Sequence, residues 1–94
     1  MAIEMRQELP GLTAEQEAAI AAQVNALART APGFIAHASG RHAGGYHVTE
    51  LWESREAFER FSTTVIVPLM QQLGVELGAV SPPQYLPVDN LVVR

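Results

Sequence analysis

The chain has no cysteine and no lysine. The first absence excludes disulfides and thiolate metal sites and leaves the redox compartment open. The second leaves six arginines and three histidines against ten acidic residues, a formal net charge of −4. With no basic stripe to neutralise phosphates, neither nucleic acid nor an anionic membrane is an expected partner. Charged residues are also scarce, 17% of the chain against roughly 25% in an average soluble domain. No segment approaches 18 consecutive apolar residues, and Glu4 and Glu8 interrupt the run that a secretory leader would need, so a cytoplasmic protein is expected. G-x-S-x-G, the P-loop and the dinucleotide glycine fingerprint are missing as well. Ser39, Ser54, Ser62 and Ser81 lack the sequence neighbours that would make a nucleophile.

What is present is apolar: 48% of the 94 residues are hydrophobic. A chain this short forms one domain, expected over residues 1–94, and buries only about 60–70% of the surface its unfolded form exposes. The surplus of apolar side chains predicts a second subunit.

Residues 2–9 alternate, Ile3, Met5 and Leu9 against Glu4, Arg6 and Glu8, the period of a half-buried strand. Pro10 and Gly11 turn the chain. Thr13 with Gln16 is a capping-box pattern that opens a helix running to about Arg29, with Ile20, Val24, Leu27 and Ala31 as its buried stripe. Pro32 and Gly33 stop it. Phe34 to Ser39 carries no charged residue, and strict alternation divides Phe34, Ala36 and Ala38 from Ile35, His37 and Ser39. Past a turn around Arg41 to Gly45, the next strand divides Tyr46, Val48, Glu50 and Trp52 from His47, Thr49, Leu51 and Glu53. An antiparallel sheet with one wet face normally shows polar residues along it. The two central strands are therefore expected to be covered on both sides, by helices on one and by a partner subunit or ligand on the other.

Ser54 is a predicted N-cap, followed by Phe58, Phe61 and Val65 at helical spacing. Pro68 interrupts that helix and restarts a short segment ending near Gly74. Tyr85 to Val93 is read as a last strand, weakened by Pro87. The order is β-α-β-β-α-β, the ferredoxin-like α+β pattern: a four-stranded antiparallel sheet with helices on one face.

Three polar residues stand out in the apolar middle. His37, mid-strand, is either a proton acceptor for an acidic phenol or enol or a core histidine with a satisfied hydrogen bond. His47 pairs with it only in an even hairpin register, and no third ligand stands at metal-site spacing, so no metal is expected. Glu50 shares a face with Val48 and Trp52, where a carboxylate costs free energy unless paired or hydrated. It is open between a tuned base, an interface partner for arginine and a rim residue.

The stretches G-F-I-A-H-A-S-G (Gly33 to Gly40), E-L-W-E-S-R-E-A-F-E-R-F (Glu50 to Phe61) and L-P-V-D-N-L-V (Leu86 to Val92) resemble the antibiotic biosynthesis monooxygenase group of dimeric α/β barrels. The resemblance implies a homodimer with its two sheets facing one another and, in each subunit, a pocket between sheet and helices. In the group's cofactor-free quinone-forming members, an Asn four residues before the Trp, the Trp itself and a Tyr six residues after it line the site. By position these fall on Val48, Trp52 and Phe58, so only the Trp is kept and the two polar groups are apolar here. The implied reading is an enzyme without cofactor or metal acting on a small aromatic or polyketide-like molecule. His37 is its proton acceptor, and Phe34, Val48, Glu50, Trp52 and Phe58 shape the pocket. A non-catalytic ligand-binding dimer, a cyclase or isomerase using the same base, and an interaction module with a vestigial pocket fit the same residues.

Overall fold

A computed structural model describes residues 2–94. Four strands, β1 (Ile3–Leu9), β2 (Phe34–His42), β3 (Gly45–Trp52) and β4 (Gln84–Pro87), form one antiparallel sheet in the order β2-β3-β1-β4. Helix α1 (Ala14–Thr30) connects β1 to β2. A second helical run follows β3, made of α2 (Arg55–Phe61), a π-helical turn (Ser62–Ile66) and α3 (Val67–Gln72). The ferredoxin-like order is therefore present, with the helices gathered on one face of the sheet.

Local chemistry sets the boundaries. Thr13 Oγ1 accepts from the Gln16 amide at 3.0 Å while Gln16 Oε1 accepts from the Thr13 amide at 3.1 Å, so both halves of the capping box form. Ser54 Oγ caps α2 by accepting from the Ala57 amide at 3.1 Å. Pro68 cannot donate to the carbonyl four residues back. The chain widens into the π turn just before it, with the Val67 amide bonded to the Ser62 carbonyl, and α3 starts with Pro68 in its first turn. Gly33, where the chain leaves α1 for β2, has φ +89°, and a Cβ there would lie 2.7 Å from Ala57 Cβ. Only glycine suits that conformation and that proximity.

The core gathers Met5 of β1 and Trp52 of β3 against Val24 and Ala28 of α1, Phe58 and Phe61 of α2 and Leu69 of α3. Trp52 is fully enclosed at 0% exposure. Its indole meets Phe34, Phe58 and Phe61 with ring centroids 5.3, 6.0 and 5.4 Å away. Leu27, expected in the buried stripe, is 50% exposed, because the smaller Ala28 takes the sheet-facing position beside Val24.

Two expectations are corrected. The last strand stops at Pro87 instead of Val93. Its register with β1 has reached Ile3 at that point, and after one more bond, Val88 amide to Ala2 carbonyl, the ladder ends. The strict alternation of β2 also fails: the register skips between Phe34 and Ala36, so Ile35 is an extra residue, a β-bulge. Phe34 stands opposite Trp52, and His37 opposite Glu50. Phe34, His37 and Ser39 therefore share the helix-covered face, and Ala36 and Ala38 are exposed on the helix-free one. Among the described residues no helix lies over that second face, the side for which a partner subunit or ligand is expected as cover.

Candidate functional site

The bulge at Ile35 builds the site. By turning His37 onto the face of Glu50, it lets the imidazole Nδ1 meet Glu50 Oε2 at 2.6 Å across the β2–β3 pair. The other carboxylate oxygen, Oε1, accepts from the Trp52 indole Nε1–H at 2.8 Å, two residues along the same strand. Glu50 is buried, 7% exposed, and both of its oxygens are engaged. A carboxylate removed from water persists only when paired in this way. Because a carboxylate is an acceptor only, Nδ1 carries the proton and the neutral ring keeps its lone pair on Nε2.

The electrostatics follow. The hydrogen bond to Glu50 raises the affinity of His37 for a proton, burial opposes it, and the charges of Glu50 and Glu17 add to the rise, leaving the imidazole above its ordinary value of 6.5. A group whose folded pKa is raised adds stability that is fully present below the unfolded value and is lost as pH climbs through the folded one. Wild-type stability is accordingly expected to fall as the pH rises from about 6.5, with a smaller slope in His37→Gln. Urea unfolding midpoints across that range measure it, and equal slopes would remove the pair from the stability of the fold.

A cavity of about 70 Å³ lies between the sheet and the helices beside this pair. Its apolar wall includes Met5, Ile20, Val24, Val48, Phe58 and Met70; its polar groups include His37, Glu50, Glu17, Ser39 and Tyr46. In this conformation it is smaller than the roughly 300–1,000 Å³ typical of drug-sized ligand sites. The Ser39 hydroxyl donates to Glu17 Oε1 at 3.3 Å, joining the first turns of α1 to the edge strand β2 beside His37. The imidazole is 30% exposed at that margin.

Of the residues read from sequence, His37, Val48, Glu50 and Phe58 line the cavity. Phe34 and Trp52 do not, and the structure puts them behind its wall, with Trp52 touching the site through Glu50. His47 stands opposite Gly40 on the other face of the sheet, away from His37. Sequence reasoning missed Glu17, Ser39 and Tyr46. Glu17 had a signal: extending the α1 stripe Ile20, Ala21, Val24 one turn back lands on it. Ser39 had one too, since alternation puts it on the same face as His37, two residues along the strand.

A larger, open hollow of about 550 Å³ lies elsewhere, lined by Arg6, Glu8, His42, His47 and Gln84 among others. Its His42–Glu8 pair, 3.0 Å apart, has both side chains more than half exposed to solvent. Among the described residues no group of three or more His, Asp or Glu side chains converges as a metal site would require. No helix of the described chain is long and apolar enough to cross a membrane.

Fold and site together define an open-faced α+β sandwich in which a carboxylate-anchored histidine borders an apolar cavity. The family model of antibiotic biosynthesis monooxygenases matches residues 3–70, and the chain belongs to that family. Among solved structures it is similar to a putative antibiotic biosynthesis monooxygenase from Chloroflexus aurantiacus (TM-score 0.68, 16% identity, 100% of each chain covered). It is similar also to SnoaB, a cofactor-independent oxygenase from Streptomyces nogalater (TM-score 0.58, 18% identity, 99% of this chain and 96% of that one). A third is the ActVA-Orf6 monooxygenase of Streptomyces coelicolor in complex with nanaomycin D (TM-score 0.58, 18% identity, 99% and 92%). A protein of unknown function from Nitrosomonas europaea shares the fold too (TM-score 0.55, 19% identity, 99% and 90%). At these identities the likeness is one of scaffold. No protein of curated function matches the chain.

Proposed function

We propose that this protein is a cofactor-independent monooxygenase of small aromatic or polyketide-type substrates, working as a homodimer, with His37 as its general base. The observation that carries the reading is the His37–Glu50 pair, a 2.6 Å contact anchored by Trp52 at the edge of an apolar cavity. The fold it shares with cofactor-independent oxygenases supports the same reading.

In this mechanism Nε2 of His37 takes a proton from a phenolic hydroxyl or an activated ring methylene. The resulting anion is the reductant: it gives electrons to dioxygen, a C–O bond forms, and the peroxide collapses to a carbonyl. One oxygen atom enters the ring and the other leaves as water with the two hydrogens of the methylene, so no external electron donor is needed. Glu50 holds the imidazole in the reactive tautomer and stabilises the imidazolium while the anion exists. Val48 and Phe58 keep the anion dry. The cavity must widen to admit a ring, and among the described residues one side-chain bridge, Ser39 to Glu17, would have to part between α1 and the edge strand β2.

The dimer is supported by the helix-free face. Ala36 and Ala38 are exposed, Thr49 and Leu51 half-buried, and Leu86 41% exposed, an apolar patch bordered by the charged residues of β1 and by His42, His47 and Gln84. Sedimentation at micromolar concentration is expected to give twice the monomer mass.

The test is oxygen uptake with anthrone or a dihydroquinone in metal-free, flavin-free buffer. Uptake above the spontaneous rate, with stoichiometric quinone formed, is expected. A second reading, ligand binding without turnover, is favoured by Val48 and Phe58, both apolar where the family's quinone-forming enzymes are polar; binding with no uptake would select it.

A further inference from the structure

The fixed charges around the cavity are of one sign, with His37 the one titratable cation among the described residues that line it. Two carboxylates, Glu50 and Glu17, border it, and no arginine is among the described residues that line it. Both oxygens of Glu50 are held by donors, the His37 ring and the Trp52 indole. Those of Glu17 are not: its one side-chain hydrogen bond among the described residues comes from the uncharged Ser39 hydroxyl, across the gap between α1 and β2. It is half-buried, beside the partly exposed His37. A ligand passing between α1 and β2 therefore meets a carboxylate with no fixed cation beside it, at the same margin as the base.

We infer that Glu17 is a specificity determinant that makes the cavity select uncharged hydroxyaromatic rings and reject those already carrying a carboxylate. This rests on the function proposed above and narrows its substrate class. The logic suits the chemistry. A substrate that arrives neutral hands its proton to His37, and the anion is created next to the imidazolium that balances it. A ring bearing a carboxylate brings a second negative charge into a site where Glu17 and Glu50 already outnumber the single titratable cation. Like charges repel at this half-exposed margin, and salt screens that repulsion.

Calorimetric titration with three bicyclic probes tests this: 2-naphthol, methyl 6-hydroxy-2-naphthoate and 6-hydroxy-2-naphthoate. The ester is the bulkier of the last two, so weak binding of the acid reports charge and not size. For the wild type at low ionic strength, 2-naphthol and the ester are expected to bind and the acid to bind at least about tenfold more weakly, a gap that salt reduces. Glu17→Gln is expected to close most of the gap, and Glu17→Arg to turn it in favour of the acid. Glu17 stands in the first turns of α1, and thermal unfolding of both variants checks that the helix is intact. Equal binding of acid and ester by the wild type would overturn the inference, as would a gap unchanged in both variants. Binding of none of the three probes would instead strike at the proposed function, since the cavity would then take no aromatic ring at all.

Discussion

His37→Gln is expected to lower the rate of enzyme-dependent anthrone oxidation by two to four orders of magnitude. Glutamine can still donate a side-chain N–H to Glu50 and so preserves the anchor, yet it cannot accept a proton at the position of Nε2. A positioned general base contributes about 10²–10⁴ in rate, and with no cofactor in the proposed cycle nothing else would raise the substrate's electron density. The loss should fall on kcat, because 2-naphthol and its neutral relatives need no imidazole to enter an apolar cavity. The oxygen electrode reads it directly once the spontaneous oxidation is subtracted. A loss smaller than threefold would take His37 out of the mechanism and leave a scaffold that only collects its ligand.

The second large effect is on stability. Trp52 is fully enclosed, meets three phenyl rings, and donates to the buried Glu50. Trp52→Ala is expected to cost about 3–5 kcal/mol for the lost packing and the cavity it leaves, a large share of the about 5–15 kcal/mol that holds a typical domain folded. Trp52→Phe keeps most of the packing and removes the N–H, leaving Glu50 Oε1 without its donor, and should cost about 1–3 kcal/mol. Urea unfolding resolves the two. A cost below 1 kcal/mol for the alanine variant would mean that the aromatic cluster is loosely packed, and that Trp52 does not fix the carboxylate.

The architecture was legible because its signals are local. The capping box at Thr13 and Gln16, the cap at Ser54, the stop at Pro32-Gly33 and the alternation of residues 2–9 each follow from the hydrogen bonding or backbone freedom of a few adjacent residues. The site was less legible because it hangs on one extra residue. Alternation through Phe34 to Ser39 assigns Phe34 and His37 to opposite faces, and only the bulge at Ile35 brings them together and points His37 at Glu50. A bulge leaves no mark in the sequence here, since no glycine signals it. For Glu50, burial and pairing with His37 and Trp52 take the carboxylate off the rim, a long-range outcome that its place in the strand pattern does not show. Pro87 did signal the weakness of the last strand, but where that strand ends depends on its register with β1, a long-range fact.

The pH dependence of kcat/KM for anthrone oxidation, in the wild type and in Glu50→Gln, reaches the core of the account. In the wild type the acidic limb marks deprotonation of His37 in the free enzyme and is expected above pH 6.5, the ordinary histidine value, because the bond and charge of Glu50 outweigh burial. Glu50→Gln removes that charge and leaves the desolvation, so the limb should move to lower pH while the plateau rate falls. A limb that stays where it was would show that the base is not the histidine held by Glu50.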